Sequence, residues 1–518
     1  FTPDSLGLVF GKCLVTPDPA YLVSGVPSLP MPCYPILRRI SRWLFVGALL
    51  CSGLLVAADS RPHIVLVMSD DQGWGQTGYN GHAHLKTPHL DAMAAAGIRF
   101  NRFYAGASNC SPTRATLLTG RSNNRTGVAN HGFPLRRQER TIAQALRDAG
   151  YATGHFGKWH LNGLRGEGAP IFADDPLHPG VFGFDTWVSV TNFFDLNPLM
   201  SRNGVFEEFT GDSSEIVVDE ALAFMREHPD EPLFVVIWYG TPHRPFAGLL
   251  QDLVGFEHLP ESERLQLAEL VAMDRSIGTL RSGLRELGIA DNTLLWFNGD
   301  NGGLSDFGPK TVAGLRGFKN QYYEGGIRVP GIVEWPAGIA AGQVSDFPAV
   351  TMDIFPTVGE IVGMDESVYL EPQDGLSLVS VFNGYSGPRS RPIPFHRETG
   401  TAIIDNEWKL VSDEMEPMRF ELYDLEADPN EEHDLLAQRP AVAQRMLGLW
   451  LEFNASLNAS MNGSDYPEGR VLPDPADRAG SAWWMELPEY QPYLEDWAKR
   501  PEYRKRLAPL LKPTEQTK

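Results

Sequence analysis

Three short apolar runs constrain the fold more than any other feature of this sequence. They cover residues 63–68, 233–239 and 294–297, are rich in β-branched, aromatic and leucine residues, and are short enough for buried strands. Helical patterns separate them, at residues 87–96, 141–149, 214–227 and 261–287. Strands alternating with helices are typical of a parallel sheet covered on both faces. The pattern therefore predicts an α/β fold with one large, mixed, mostly parallel sheet sandwiched by helices.

Polar residues follow each apolar run directly. Asp70 and Asp71 come after the first run, Asp300 and Asn301 after the third, and His243 shortly after the second. Ligands of such sheets bind at the carboxyl ends of the strands, so these side chains are expected to share one crevice. Four hard oxygen donors suit Ca²⁺ or Mg²⁺ better than Zn²⁺. Ordinary turns are the alternative, although adjacent buried acids are costly without a cation.

A second cluster of informative residues surrounds Cys110. Pro112 suits a first helical turn and Gly120 suits a helix end, which predicts a helix between them. Cys110 would then lie at the helix N-terminus, where anions are favoured, with Arg114 on the same face. An inert or simple low-pKa thiol is the alternative interpretation of Cys110.

The sequence around Cys110 resembles the maturation signature of type I sulfatases, members of the alkaline phosphatase superfamily. Cys-Ser-Pro-Thr-Arg-Ala at residues 110–115 is followed by Leu-Leu-Thr-Gly-Arg at residues 117–121. The other family elements follow in order: Gly-Lys-Trp-His at 157–160, Thr-Pro-His at 241–243, and Lys319 ahead of Glu-Gly-Gly-Ile-Arg at 324–328. The resemblance runs from Arg61 to about Trp450. It looks closest to the arylsulfatase A and N-acetylgalactosamine-6-sulfatase branch and implies an alkaline-phosphatase-like fold.

The resemblance also implies a sulfuric ester hydrolase with a modified nucleophile and a metal. Cys110 would be converted to Cα-formylglycine, and Ca²⁺ would be the metal, with Mg²⁺ left open because both ions accept oxygen ligands. The implied metal ligands are Asp70, Asp71, Cys110, Asp300 and Asn301. Conversion of Cys110 would require a formylglycine-generating or anaerobic sulfatase-maturing enzyme as a partner.

The implied mechanism uses the hydrated aldehyde of residue 110 as nucleophile. One hydroxyl lies on the metal, where its pKa falls and Asp300 helps to remove the proton. This oxygen attacks sulfur and leaves a covalent sulfo-enzyme, while His243 with Lys319 protonates the leaving oxygen. The second hydroxyl then expels sulfate, with His160 taking its proton. The residues that orient the diol are Arg114 and Lys158.

The N-terminal residues have the pattern of an export signal. A basic segment at residues 38–42 precedes an apolar run at residues 44–56, and small residues then lead to cleavage after Ala58. The expected organisation is as follows: an upstream extension at 1–30, a signal peptide at 31–58, a catalytic domain at 59–373, and a C-terminal subdomain with tail at 374–518. An uncleaved membrane anchor at the N-terminus is the alternative. No later segment has the length of an apolar membrane span, so none is expected after residue 58.

The C-terminal part is expected to form a smaller antiparallel sheet with a helix. Residues 406–410 and 420–425 have the pattern of two paired strands. Residues 428–432 would lead into a helix ending near Phe453.

Charge and cysteine content bear on the partners and the cellular location of the protein. The chain has 44 Lys and Arg against 65 Asp and Glu, a net charge of −21, which argues against nucleic-acid binding. After removal of the signal peptide Cys110 is the one cysteine left, so no internal disulfide can form. These features are typical of an exported bacterial protein, periplasmic or extracellular, with no membrane span in its mature form.

The substrate is expected to be a sulfated carbohydrate, with aryl sulfates as the alternative. Residues 171–209 are rich in aromatic and hydrogen-bonding side chains, which suits a specificity loop, and residues 395–398 are a second candidate wall. Two rival functions remain. The chain could be a phosphonate or phosphodiester hydrolase of the same superfamily, or a non-catalytic binder of sulfated glycans if Cys110 stays unmodified.

Overall fold

The apolar runs form the centre of a large sheet in the computed structural model, which describes residues 61–478 and 480–511. The upstream extension and signal peptide lie outside these described residues. The strands are β1 (His63–Ser69), β2 (Ile98–Phe100), β3 (Phe103–Tyr104), β4 (Ala152–Lys158), β5 (Leu164–Arg165), β6 (Thr186–Val190), β7 (Leu199–Arg202), β8 (Val205–Glu208), β9 (Leu233–Trp238), β10 (Thr293–Gly299), β11 (Arg328–Val329), β12 (Gly331–Glu334), β13 (Gln343–Ser345), β14 (Ala349–Val350), β15 (Ile393–Arg397), β16 (Gly400–Asp405), β17 (Trp408–Ser412), β18 (Glu421–Asp424) and β19 (Ala482–Trp483).

Helices connect most of these strands. The α-helices are α1 (Pro88–Ala96), α2 (Cys110–Thr119), α3 (Ile142–Asp148), α4 (Ser213–Glu227), α5 (Glu261–Glu286), α6 (Glu324–Ile327), α7 (Ile354–Val362), α8 (Val379–Phe382), α9 (Pro440–Met461), α10 (Leu494–Trp497) and α11 (Pro501–Leu510). The predicted helices at 87–96, 141–149, 214–227 and 261–287 correspond to α1, α3, α4 and α5 within one or two residues.

The main sheet has ten strands within the described residues, in the order β13-β2-β12-β10-β1-β9-β4-β6-β7-β8. Its five central strands, from β10 to β6, run parallel. The strand β12 on one side and the strand β7 on the other are antiparallel to these neighbours. The prediction of a large, mixed, mostly parallel sheet is confirmed.

Both faces of this sheet are covered by helices. Side chains alternate along β1: Ile64 and Leu66 pack with apolar residues of α2, α3 and α7, whereas Val65 and Val67 pack with those of α1, α4 and α5. A strand that is buried on both faces needs apolar residues at every position. This requirement explains why the central strands are continuous apolar runs.

A separate four-stranded antiparallel sheet follows in the order β15-β16-β17-β18, and α9 packs on it. The antiparallel pairing of the two predicted strands is confirmed in β17 and β18. The predicted end of the helix near Phe453 was wrong, since α9 begins at Pro440 and ends at Met461. The Asp428 carboxylate instead accepts hydrogen bonds from the backbone N–H groups of Glu432 and His433, which makes that segment a turn.

The chain after α9 forms a separate two-stranded sheet and packs against Leu199 of β7. The strand β19 pairs in parallel with β5. Aromatic side chains of this tail, including Trp484, Tyr490 and Trp497, pack around Leu164 and Ala169. In the described part of the chain, no helix is both long enough and apolar enough to traverse a lipid bilayer. The boundary between catalytic domain and C-terminal subdomain at residue 373 stays a prediction.

Candidate active site

The register of β1 and β10 brings the two acidic pairs together. Ser69 is the partner of Gly299, so Asp70 and Asp300 are the next residues of two parallel neighbours. The backbone N–H of Asp300 donates to the Ser69 carbonyl at 3.0 Å, and the backbone N–H of Asp71 donates to Asp300 Oδ1 at 3.0 Å. Both pairs therefore lie at one point of the carboxyl edge of the sheet.

The next two strands bring His243 and Lys158 to the same edge. Trp238, the last residue of β9, is the partner of Met68 in β1 and of Gly157 in β4. The carbonyl of Thr241 accepts from the backbone N–H of Asp70 at 2.8 Å, which ties the segment after β9 to the acids. Lys158 is the last residue of β4. Four adjacent parallel strands thus supply polar side chains to one crevice.

Each carboxylate of the crevice is matched by a cation. Lys158 Nζ lies 2.5 Å from Asp70 Oδ2, and Lys319 Nζ lies 2.5 Å from Asp71 Oδ1. Arg114 donates to Asp300 Oδ2 at 2.8 Å.

The pKa values of these acids follow from their surroundings. Burial opposes ionisation of Asp70, but the Lys158 ammonium holds the pKa of Asp70 well below its usual range. Burial, together with the negative charge of Asp70, raises the pKa of Asp300 to about 7. The neighbouring cations therefore stabilise the ionised form of Asp70 more than that of Asp300.

Two oxygen atoms of this cluster have no hydrogen-bond partner within the described residues. They are Asp70 Oδ1 and Asn301 Oδ1, and both side chains are fully buried. A buried acceptor without a partner costs about 1–3 kcal/mol, so such atoms indicate a missing ligand. Carboxylate and amide oxygens are the donors that Ca²⁺ and Mg²⁺ prefer. The residues present therefore fit a hard divalent cation.

Cys110 is the first residue of α2 and is fully buried. Its Sγ lies 3.5 Å from Lys319 Nζ, and within 4.8 Å of ligand atoms of Asp70, Asp71 and His243. Burial raises the pKa of the Cys110 thiol to about 12, so the unmodified side chain is neutral at physiological pH. Gly120 ends this helix in a left-handed conformation, with φ of 70°.

His243 presents one ring nitrogen to the acids. Its Nδ1 lies 2.6 Å from the carbonyl oxygen of Arg244, which assigns the Nδ1–H as donor, and its Nε2 lies 3.8 Å from Asp71 Oδ2. The ring of Phe193 stacks on His243, with centroids 4.5 Å apart. Burial and the Lys319 ammonium lower the pKa of His243 to about 4.

His160 lies on the other side of Cys110, and its neighbour His131 was missed by sequence reasoning. The two imidazole rings meet edge to face at 4.5 Å, and one ligand atom from each lies within 4.8 Å of Cys110 Sγ. Neither ring nitrogen of the buried His160 has a hydrogen-bond partner in the described residues. His131 lies in a loop after α2 without periodicity or a strand end beside it, so the sequence carries no local signal for it.

Three residues at the site adopt left-handed backbone conformations that favour glycine. Their φ angles are 66° for Asp71, 56° for His160 and 74° for Asn320. Such conformations cost about 1–3 kcal/mol each and cluster at functional sites. The chain therefore maintains these side chains in place at the expense of backbone strain.

The predicted specificity loop at residues 171–209 contributes less than expected. Phe193 reaches the site, but much of the segment forms β6, β7 and β8 at the edge of the large sheet. Trp187 stacks on His178 inside the protein, and Arg202 pairs with Glu207. These side chains therefore contact one another and stabilise the edge of the large sheet.

Comparisons with known proteins agree with this arrangement. The sulfatase family model matches residues 62–364. Arylsulfatase G of Rattus norvegicus is 31% identical over 434 residues, covering 70% of this chain and 78% of that protein. N-acetylgalactosamine-6-sulfatase of Rattus norvegicus is 32% identical over 408 residues, covering 71% of this chain and 74% of that protein. The crystal structure of Ps i-CgsB in complex with k-i-k-neocarrahexaose has a TM-score of 0.69 at 24% identity, covering 86% of this chain and 99% of that one.

The fold and the comparisons together define an enzyme of the alkaline-phosphatase-like class. The chain belongs to the sulfatase family and is a sulfuric ester hydrolase. The resemblance drawn from the residues around Cys110 is thereby confirmed at the level of the family.

Proposed function

We propose that this enzyme removes sulfate from a sulfated carbohydrate, with residue 110 as formylglycine in the role of nucleophile. The observation that carries the proposal is the position of Cys110, whose Sγ lies within 4.8 Å of ligand atoms of Asp70, Asp71 and His243. The hydrated aldehyde supplies two hydroxyls on one carbon, one to attack sulfur and form the covalent sulfo-enzyme, the other to expel sulfate.

A divalent cation fits the site, with Ca²⁺ as the proposed ion and Mg²⁺ as the alternative. The residues that would hold it are Asp70, Asp71, Asp300, Asn301 and residue 110. When bound, it supplies Lewis acidity and positive charge next to the sulfuryl group. The unpartnered buried oxygens of Asp70 and Asn301 support this assignment.

Arg114 and Lys158 are proposed to orient the nucleophile. Arg114 donates to Asp300 Oδ2 and to the Lys158 carbonyl, and its guanidinium lies 5.1 Å from the ring centroid of Trp238. These contacts fix a fully buried cation in one conformation. A fixed cation stabilises developing negative charge without reorganisation during the reaction.

His243 and Lys319 are proposed to deliver the proton to the leaving oxygen. The Nδ1–H of His243 is directed to the Arg244 carbonyl, so Nε2 is the atom that faces Cys110 and the acids. Stacking on Phe193 holds the ring in that orientation. Because the pKa of His243 is lowered to about 4, its ring is neutral at physiological pH, and the Lys319 ammonium, 3.5 Å from Cys110 Sγ, is the group that holds the proton.

His160 is proposed to take the proton of the second hydroxyl when sulfate is expelled. Both of its ring nitrogens lack a hydrogen-bond partner in the described residues, and burial lowers its pKa well below the usual value. A neutral imidazole beside residue 110 is in the form that accepts a proton.

A carbohydrate is the proposed carrier of the sulfate ester. N-acetylgalactosamine-6-sulfatases are among the relatives, and the Ps i-CgsB structure holds k-i-k-neocarrahexaose. Both names concern sugars. Aryl sulfates remain useful as chromogenic probes of the same chemistry.

We further propose export to the periplasm or the extracellular space and maturation by a formylglycine-generating or anaerobic sulfatase-maturing enzyme. The sequence pattern up to Ala58 and the presence of Cys-Ser-Pro-Thr-Arg-Ala support these two steps. The mass of the N-terminal peptide of the secreted protein tests cleavage after Ala58.

Sulfate release by protein co-produced with a formylglycine-generating enzyme tests the proposed function. The substrates are sulfated mono- and disaccharides with phosphate-ester controls, and Cys110→Ala is the matched variant. Sulfate from a sugar, absent with Cys110→Ala, is the expected result. Phosphate release alone would assign the chain to the phosphohydrolases. An unmodified thiol in the mass of the peptide containing residue 110, together with retained turnover, would contradict the nucleophile.

A further inference from the structure

We propose that Arg397 binds a second anionic group on the sulfated sugar, either another sulfate or a carboxylate. This inference rests on the proposed function and names the class of sugar that the site selects. Arg397 belongs to the segment that the sequence marked as a candidate wall, and it is the last residue of β15 in the small sheet.

Arg397 contacts, from the small sheet, the residue that follows Lys319. Its Nη1 donates to Asn320 Oδ1 at 2.9 Å. Asn320 directly follows Lys319, and its backbone N–H donates to the Ser108 carbonyl at 2.8 Å. Since Lys319 Nζ lies 3.5 Å from Cys110 Sγ, Arg397 is linked to the nucleophile position through two adjacent residues.

Neutral polar groups continue from Arg397 along the start of α2. Asn320 Oδ1 lies 3.5 Å from Asn109 Nδ2, which also donates to Asn130 Oδ1 at 3.1 Å. The next residue after Asn130 is His131, beside His160. Asn109 Oδ1 is buried and has no hydrogen-bond partner among the described residues. An unsatisfied acceptor at this place indicates a ligand that donates a hydrogen bond, as a sugar hydroxyl does.

The charge of Arg397 is not compensated within the described residues. Its partners are the neutral Asn320 amide and the Thr399 hydroxyl, which accepts from Nε at 2.8 Å, and no ion pair is found for it there. In contrast, Arg114 is paired with Asp300 and Lys158 with Asp70. In a chain of net charge −21, an arginine without a carboxylate partner beside an anion-processing site is available for an anion.

The guanidinium also has the donors that this role needs. An arginine carries five N–H groups in a planar fork, and three of those of Arg397 donate to Asn320 or Thr399. The remaining N–H groups match the paired oxygens of a carboxylate or a sulfate.

Binding of sugars with one or two anionic groups tests this inference without the need for turnover. The full chain carrying Cys110→Ala is titrated by calorimetry, in Ca²⁺, with N-acetylgalactosamine 6-sulfate, its 4,6-disulfate, and a glucuronate disaccharide of the 6-sulfate. We expect one of the two doubly charged probes to bind about ten- to a hundredfold more tightly than the singly charged probe. The doubly charged probe that binds more tightly shows whether the second anionic group is a sulfate or a carboxylate.

Arg397→Gln should abolish this preference, and Arg397→Lys should keep part of it, because a point charge replaces the fork. The matched control is Arg147→Gln, which removes the same charge from an exposed position near the end of α3 and should keep the preference. Equal affinities of the parent for all three sugars would overturn the inference, as would an unchanged preference in Arg397→Gln. Sulfate release from the same sugars by the Cys-containing, matured protein reports separately on the proposed function.

Discussion

Replacement of Lys409 by methionine should strongly destabilise the protein. Lys409 belongs to β17, and its ammonium is fully buried between Glu324 Oε1 at 3.0 Å and Glu431 Oε1 at 2.8 Å. Glu324 opens α6 beside the active site, and its backbone N–H donates to Glu431 Oε2 at 2.6 Å. The single cation thus holds two buried carboxylates that belong to different parts of the fold.

The magnitude follows from what Lys409→Met leaves behind. Removing one partner of a buried ion pair costs about 3–5 kcal/mol, because the remaining charge stays buried without compensation. Here two carboxylates would be left facing each other. The control Lys499→Met also breaks an ion pair, to Asp496 at 2.9 Å, but 74% of the Lys499 side chain and 76% of the Asp496 side chain are exposed. Exposed pairs contribute about 0–1 kcal/mol, so the control should change the free energy of unfolding little.

The loss of unfolding free energy in Lys409→Met, called the deficit below, should also depend on pH. Burial raises the pKa of Glu431 to about 7 from its ordinary value of 4.5, although Lys409 opposes this shift. As pH rises, the Glu431 carboxyl of the unfolded chain loses its proton before that of the folded protein. The stability that protonated Glu431 contributes is therefore present at low pH and is lost as pH rises through the folded pKa. Without Lys409 the carboxyl is harder still to ionise. The deficit of Lys409→Met should be larger at pH 8 than at pH 5.

Urea unfolding followed by circular dichroism at both pH values measures these differences. The double variant Lys409→Met with Glu431→Gln should recover part of the loss, since Glu324 keeps the Tyr104 hydroxyl at 3.1 Å and Arg328 at 3.7 Å. Equal loss in Lys409→Met and Lys499→Met, or a deficit that is larger at low pH, would refute the reasoning about the buried charges.

Three further predictions concern the active site. Gly302→Ala should lower kcat/KM for a sulfated sugar at least about a hundredfold, because the added Cβ would lie 1.9 Å from the Gly325 carbonyl and displace Asp300 and Asn301, which are proposed metal ligands. Chelation should lower the melting temperature of the parent, and Ca²⁺ should restore it, whereas Asp300→Asn should lack both responses and show no bound metal by elemental analysis. Phe193→Ala should lower kcat about three- to tenfold through loss of the stacking on His243, as steady-state kinetics would show.

The large sheet could be predicted because its signal is local. A strand buried on both faces needs an uninterrupted apolar run, and β1, β9 and β10 each have one. Their short neighbours β2 and β12 were not predicted, since strands of three or four residues carry too little pattern. The end of α9 was misplaced because α9 buries few residues, so its apolar periodicity is weak.

The residues of the site also divide into those with a local sequence signal and those without one. The acids and His243 follow strands, so topology alone places them at one edge of the sheet. Lys319 came from the family resemblance, because no period or strand end marks it, whereas Pro112 and Gly120 already indicate a helix that begins near Cys110. His131 could not be predicted, and the segment of Arg397 could be named only as a candidate wall, since its contact with Asn320 joins residues far apart in the chain. The roles of all these residues stay predictions until the variants are measured.

The charge balance of the crevice leads to a last prediction, for Lys158→Met. The three carboxylates are matched by three cations, so the proposed divalent ion would supply the positive charge in excess that attracts a sulfate ester. Lys158 Nζ, 2.5 Å from Asp70 Oδ2, competes with that ion for the carboxylate. Lys158→Met should therefore bind Ca²⁺ more tightly but a sulfated sugar more weakly, because one positive charge near the sulfuryl group is lost. Calorimetric titration of each ligand measures both changes. Weaker binding of both ligands would mean that Lys158 supports the fold of the site and does not compete with the metal.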